Sequence, residues 1–506
     1  MCTLCGHPYH SDNAHYAGEN TPALGPKAII SDSNANYIDA LLLGTSWSGT
    51  PGVGATVTYG VSGNPALESD TSAYLSAIKQ AMARWSSVAN INFNHEYVST
   101  LTGETVDDKP LAFYLNSDSN NPTPIGNGVI GVMYADALVN SFTFSKVHVV
   151  VDDGYYNVTR GELTPGMHGF TTVMHEIGHA IGLDHPFEGT LLSYTSNGNQ
   201  DVTLMAYDDS DDTATSTADP STPMVFDIAA IQYLYGANTS TNAGNTTYTL
   251  TGTPDTRTIW DGGGNDTLDG SGLSTAARLD LTEGVGHYNL VGTEYVALAL
   301  GANIENALGG SGNDTIYGNT LSNILTGGSG ADSLEGDAGN DDMNGNSGND
   351  TLQGGTGNDV IRGGQNDDSL RGGQDNDWVN GNMGIDFVRG DNGNDTVRGG
   401  ADADTVYGGA GDDFLFGDKG NDILYGDSGA DVFVFRPVSG EGNDTIQFFT
   451  ASEGDKIEFY GGMYDSFTTL SADITFHSTY SAISTDYGTI IVQSSTALTG
   501  NDFIFS

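Results

Sequence analysis

Cysteine is nearly missing from this sequence. Cys2 and Cys5 are the only two among 506 residues, which excludes a disulfide framework and leaves core packing and metal ions to hold the fold. Basic side chains are scarce as well: 15 Lys and Arg stand against 65 Asp and Glu, a formal net charge of -50. That balance argues against nucleic acid or an anionic membrane surface as a partner and in favour of cations. No run approaches the roughly eighteen apolar residues of a membrane span, and residues 1–25 lack the continuous apolar core of an N-terminal export signal. Glycine, by contrast, reaches 71 while proline stays at 14, and excess glycine without excess proline points to a repeat. The chain is too long for one ordinary core, so two or more domains are expected.

What is present centres on the eleven residues from His175 to His185, HEIGHAIGLDH. On a helix His175 and His179 lie one turn apart on one face, so both imidazoles can reach a single metal ion. Glu176 is turned about 100° round the helix from His175. It can therefore hold a water at the metal without being a ligand, which is the position of a general base. Gly182 follows three residues after His179, where a residue able to take positive φ ends a helix and swings the chain back. His185 then arrives as a third ligand. Three protein nitrogens leave one tetrahedral position open, the arrangement of a catalytic zinc rather than a closed structural one.

The extended pattern HExxHxxGxxH, with Leu204-Met205-Ala206-Tyr207 downstream, resembles the metzincin metallopeptidases. Tyr two residues after the Met resembles the serralysin family within them. The resemblance implies one catalytic Zn2+, Met205 as the Met-turn floor beneath it, and Tyr207 as a further zinc ligand that swings away to stabilise the oxyanion. It also implies protein or peptide substrates and an α+β metzincin catalytic domain.

Periodicity before the motif fits that domain. Residues 56–61 alternate as a strand, and Tyr74, Ile78, Ala81, Met82, Trp85 and Val88 recur at helical spacing behind a cap at Asp70 or Thr71. Short strands are expected at 91–93, 111–115, 129–135 and 147–151, then a metal helix over 168–181 and a closing helix over 223–235. In the family the edge strand before the last one takes substrate as an added antiparallel strand. Here the resemblance gives that role to Val132, Met133, Tyr134 and Ala135.

After Gly236 the composition changes. Residues 261–269, DGGGNDTLD, are an isolated copy of a nine-residue unit that runs without a break for fourteen copies from Gly309 to Val434. Thirteen of the fourteen carry Asp at the sixth position: Asp314, Asp332, Asp341, Asp350, Asp359, Asp368, Asp377, Asp386, Asp395, Asp404, Asp413, Asp422 and Asp431, with Asp266 in the isolated copy. All fourteen carry an apolar residue at the eighth, from Ile316 to Phe433. The glycines permit tight turns, the Asp side chains and carbonyls offer hard oxygens to Ca2+, and the eighth residue points into a thin core. Two copies make one coil of an all-β parallel β-roll (RTX) domain. The stretch holds 23 acidic and 5 basic residues, a repulsion that bound Ca2+ would offset.

The expected division is an N-terminal pro-segment over 1–28, a catalytic domain over 29–236, a linker and start of the β domain over 237–308, the roll over 309–434 and a C-terminal capping sheet over 435–506. The final Asn501-Asp502-Phe503-Ile504-Phe505-Ser506 resembles the signal read by type I secretion machinery, which implies an extracellular protein exported without an N-terminal signal peptide; a monomer is expected. Cys5-Gly6-His7-Pro8 has the CGxP form of the cysteine switch in matrix metalloproteinase propeptides, which would make Cys5 a zinc ligand in a latent form. A Cys2/Cys5 disulfide, a metal knuckle from Cys2, Cys5, His7 and His10, and a disordered tail compete with it. A calcium-dependent adhesin or surface-layer protein with a vestigial peptidase domain is the alternative reading of the whole; a lipase lacks support because the chain has no GxSxG elbow.

Overall fold

The computed structural model describes residues 51–62, 68–95, 111–116, 131–140, 143–152, 163–183, 202–205, 218–436, 440, 442–494 and 496–506. Strands β1 (Ala55–Ser62), β2 (Ile91–His95), β3 (Leu111–Asn116), β4 (Gly131–Asn140) and β5 (Thr143–Asp152) form one sheet in the order β2-β1-β3-β5-β4. All neighbours are parallel except β4, which runs antiparallel to β5 and forms the edge. β4 extends five residues past its expected end, and its register with β5 becomes irregular beyond Ala135.

Helix α1 (Glu68–Val88) begins ahead of the expected cap, so Asp70 falls in the first turn, where the positive end of the helix dipole favours an acidic residue. Its apolar stripe behaves as its spacing predicts. Ile78, Ala81, Met82, Trp85 and Val88 are buried in a core shared with α2 (His168–Ala180) and α3 (Val225–Tyr235), each larger side chain contributing about 1.5–3 kcal/mol by its burial.

Beyond residue 246 the chain builds two long sheets, of 15 and 12 strands among the described residues. Successive nine-residue copies alternate between them, and each strand pairs in parallel with the strand 18 residues on: Leu352 with Leu370 and Val388 in one sheet, Ile361 with Val379 and Val397 in the other. This is the β-roll with two copies per coil. Every eighth-position side chain from Ile316 to Phe433 is buried between the sheets. The turns need glycine where the coils stack most closely: Gly357 has φ 119°, and a β-carbon there would stand 1.7 Å from the Gly339 carbonyl oxygen.

The C-terminal cap is not a separate sheet. Strands Gly442–Gln447, Gly488–Gln493, Tyr480–Ser484 and Ile474–Phe476 prolong one roll sheet, while Lys456–Phe459 and Phe503–Phe505 prolong the other. The two domains also share structure. Pro220 forms a parallel bridge with Thr256 of strand Asp255–Ile259, and Ser221 N donates to Thr256 O at 2.7 Å. Trp260, Ala299 and Ala302 from the β domain join the core around α1, α2 and α3. No helix among the described residues is long and apolar enough to cross a membrane.

Candidate metal centre

Three contacts fix α2 before any metal is considered. Thr171 Oγ1 donates to Pro220 O at 3.0 Å near its start, Trp85 Nε1 to Met174 O at 3.2 Å in its middle, and Tyr235 Oη to Ile181 O at 2.8 Å at its end. Gly182 terminates the helix with φ 112°, and Leu183 N bonds back to Gly178 O at 3.0 Å, the six-to-one closure that only a residue tolerant of positive φ allows.

That closure aims a carbonyl at the second histidine. His179 Nδ1 lies 2.8 Å from Leu183 O, and His175 Nδ1 lies 2.7 Å from Leu204 O. A carbonyl only accepts, so each Nδ1 carries the proton and each Nε2 carries the lone pair that a metal requires. The two rings are buried, 4.7 Å apart and edge to face. Burial and the neighbouring His179 outweigh the bond to the Leu204 carbonyl, which favours the protonated ring, and hold His175 well below its usual value, at about 3, so it is a neutral donor at any physiological pH. Glu176 is buried between them in sequence, and its Oε2 has no hydrogen-bond partner. Burial pushes its carboxyl up to about 7, which is the range of a proton acceptor that works near neutrality.

Met205 is buried against α2, with its sulfur beside Gly178. Two residues that the sequence pattern did not single out hold it there. Asp227, at the third position of α3, accepts from Thr203 Oγ1 at 2.6 Å, Leu204 N at 2.7 Å and Met224 N at 2.9 Å, and Thr203 Oγ1 accepts from Met205 N at 3.1 Å. An acidic residue in the first turn of the closing helix was the available signal. His185, Tyr207 and Cys5 lie outside the described residues. Val132, Met133, Tyr134 and Ala135 lie on β4, paired with Val150, Val149, His148 and Val147 of β5.

In the roll, the sixth-position carboxylates divide their two oxygens. Oδ1 accepts the backbone N–H of the residue one coil earlier, as from Asp332 N to Asp350 and from Asp377 N to Asp395, each at 2.8 Å. Oδ2 of Asp332, Asp341, Asp350, Asp359, Asp368, Asp377, Asp386, Asp395, Asp404, Asp413 and Asp431 is buried without a hydrogen-bond partner. Burial, reinforced by neighbouring Asp charges, pushes Asp368 and Asp377 up to about 8 and Asp404 up to about 9. Rows of buried, unpartnered carboxylate oxygens are what a hard divalent cation satisfies, so these residues fit Ca2+.

The first coil differs. Both oxygens of Asp314 accept backbone N–H groups, from Ala277 and Gly310, and Asn323 accepts from Asn319 N. In the isolated copy Asp266 Oδ2 again lacks a partner, and Asp261 and Glu305, which the repeat pattern did not mark, stand near enough to raise its pKa after burial has done so.

Three families match successive parts of the chain. The Matrixin family matches residues 46–215, the family "Peptidase M10 serralysin C terminal" matches residues 226–398, and the RTX calcium-binding nonapeptide repeat (4 copies) matches residues 398–433. Among similar curated proteins, "Serralysin" of Proteus mirabilis is 35% identical over 275 residues, 49% of this chain and 54% of that protein. "Metallopeptidase AprA" of Pseudomonas marginalis is 40% identical over 189 residues, 31% of this chain and 39% of that one. "Serralysin G" of Dickeya chrysanthemi is 40% identical over 179 residues, 31% and 37% of the two chains. The chain thus spans about half the length, or less, of the curated relatives it matches. With a Matrixin match, a serralysin C-terminal match and an RTX-repeat match following one another in that order, the chain is similar to the serralysins in its succession of parts.

Proposed function

We propose that this chain is a secreted, calcium-stabilised zinc endopeptidase. The observation that carries the reading is the pair His175 and His179, each with Nδ1 bonded to a backbone carbonyl and Nε2 left as the donor nitrogen, beside a buried Glu176 whose Oε2 has no hydrogen-bond partner. His175, His179 and His185 would hold the zinc, with Tyr207 as a further ligand at rest. Bound zinc supplies Lewis-acid chemistry, acidifying water and polarising the scissile carbonyl.

The chain's own residues do the rest. The substrate backbone adds to the outer edge of β4 at Val132 to Ala135 as an antiparallel strand, which fixes the direction of the peptide across the site. Glu176 accepts the proton of the attacking water and hands it to the leaving amine. The Tyr207 hydroxyl donates to the oxyanion as it develops, a bond stronger in the transition state than in the ground state. In the roll, the Asp Oδ2 atoms take Ca2+. In a calcium-poor cytosol the repeats stay unfolded and exportable through type I secretion machinery, and they fold outside. Cys5 would hold the enzyme latent by occupying the zinc position that water needs.

Digestion of casein tests the reading. Hydrolysis that stops with o-phenanthroline and returns with zinc supports it; a zinc-free, inactive chain that binds surfaces in calcium favours the adhesin reading. Full-length Cys5→Ser should be active at once, and a variant as latent as the unaltered chain removes the switch.

A further inference from the structure

The environment of His175 does not end at its carbonyl partner. The Leu204 carbonyl that accepts from Nδ1 at 2.7 Å belongs to the same amide as Met205 N, which donates to Thr203 Oγ1 at 3.1 Å, and that hydroxyl donates to Asp227 Oδ1 at 2.6 Å. Every donor along this path points toward Asp227. We propose that Asp227 is a remote carboxylate partner of His175, joined to it through Thr203 and the Leu204–Met205 amide, and that this relay sets how strongly His175 donates to the zinc. The proposal rests on the zinc-peptidase reading above and assigns Asp227 and Thr203 as positioning residues, since neither touches the metal or substrate.

The geometry selects the charged form of Asp227. Its other oxygen takes two backbone donors, Leu204 N and Met224 N, and Thr203 Oγ1, already accepting from Met205 N, has Asp227 Oδ1 for its own proton. A protonated Asp227 would leave one hydrogen in this buried cluster without an acceptor. Burial does raise the carboxyl to about 6, still below neutral pH.

An anion at the end of such a chain strengthens each bond before it. The charge draws the Thr203 proton, the hydroxyl oxygen becomes a better acceptor for Met205 N–H, and the polarised amide places more negative charge on the Leu204 oxygen. His175 then holds its Nδ1 proton as if facing a carboxylate, and its Nε2 becomes the more basic ligand. A carboxylate bonded directly to a metal-binding histidine has this effect in one step; here the path runs through one hydroxyl and one amide. Asp227 and Thr203 also fix Met205 beneath the site, so the ligand's orientation and its basicity have one origin.

The test uses the full chain. Thr203→Val keeps the shape and deletes the hydroxyl; Thr203→Ser keeps the hydroxyl; Asp227→Asn keeps the volume and deletes the charge. The zinc dissociation constant is read by competition with a chromophoric chelator, and the visible bands of the cobalt(II)-substituted protein report the ligand field. We expect Thr203→Val and Asp227→Asn to weaken zinc about 10- to 100-fold and to shift the cobalt bands, with Thr203→Ser close to the unaltered chain. Should Thr203→Val fail to fold, Asp227→Asn against Thr203→Ser carries the same comparison. Folded Asp227→Asn with unchanged zinc affinity and cobalt bands overturns the relay. An unaltered chain that binds no zinc overturns the peptidase reading instead, so the two failures are distinct.

Discussion

Gly178 and Met205 are in contact across the base of the metal centre: a β-carbon at Gly178 would stand 2.8 Å from the Met205 sulfur and 3.3 Å from Trp85 Cζ2. The glycine in the middle of the metal helix is therefore a packing requirement. Alanine is the better helix former by about 1 kcal/mol, but overpacking a close-fitted core costs about 1–3 kcal/mol, so the loss wins. Gly178→Ala should lower the denaturation midpoint and the zinc affinity together. A midpoint at or above that of the unaltered chain would falsify the packing argument.

Glu176 is where stability and activity should separate. Its carboxyl is buried without a hydrogen-bond partner at Oε2, an arrangement that costs stability unless the group is used. On the proposed role of the carboxylate, toward the water and not the metal, Glu176→Gln should reduce peptide hydrolysis by roughly 10²–10⁴-fold while zinc content stays the same. Metal analysis showing zinc lost with activity would make Glu176 structural. Comparable hydrolysis in the variant would remove it from the mechanism.

Much of this was legible in the sequence, for reasons visible in particular residues. The spacing of His175, His179 and Gly182 is local geometry, and the helix and its positive-φ stop follow from it. The eighth-position register from Ile316 to Phe433 likewise reports a period of nine that only a stacked coil explains. The link from Asp227 to Thr203 and Leu204 was not legible, because it spans 23 or 24 residues and no short pattern ties an acid on one helix to a turn before it. Asp314 was misleading in another way. It has the repeat's Asp, yet its oxygens are taken by backbone N–H groups from residues that precede or open the array.

The boundary at Gly236 predicts too much independence for the catalytic domain. Trp260 belongs to the β domain by sequence but is buried in the catalytic core, and its Nε1 donates to Asn238 O at 3.0 Å. Trp260→Ala should cost about 3–5 kcal/mol, and the loss should fall on the peptidase. In a guanidinium titration followed by zinc release and by far-ultraviolet circular dichroism, zinc should leave at lower denaturant while the calcium-loaded roll melts where it did before. Unchanged zinc release would show that the domains touch without supporting each other.

Calcium binding to the roll should release protons. Without metal, burial and neighbouring carboxylates hold Asp341 and Asp413 at about 7, Asp368 and Asp377 at about 8 and Asp404 at about 9, against about 3.9 in an unfolded chain. The folded, calcium-free roll thus binds more protons than the unfolded chain. Its stability is greatest below about pH 4 and is lost as pH rises through the folded values toward 9. Calcium reverses this: it favours the carboxylate and displaces the proton, so calcium affinity should rise with pH from about 5 to 9. At about pH 5, where the protonated calcium-free roll is folded, calorimetry of calcium binding in two buffers of different ionisation enthalpy should give different apparent enthalpies, the difference counting the protons released. The calcium-free chain should also hold more β structure at pH 4 than at pH 9. Equal enthalpies in the two buffers would mean that the Oδ2 atoms are already ionised before calcium arrives, and the buried carboxylates would then need another source of compensation.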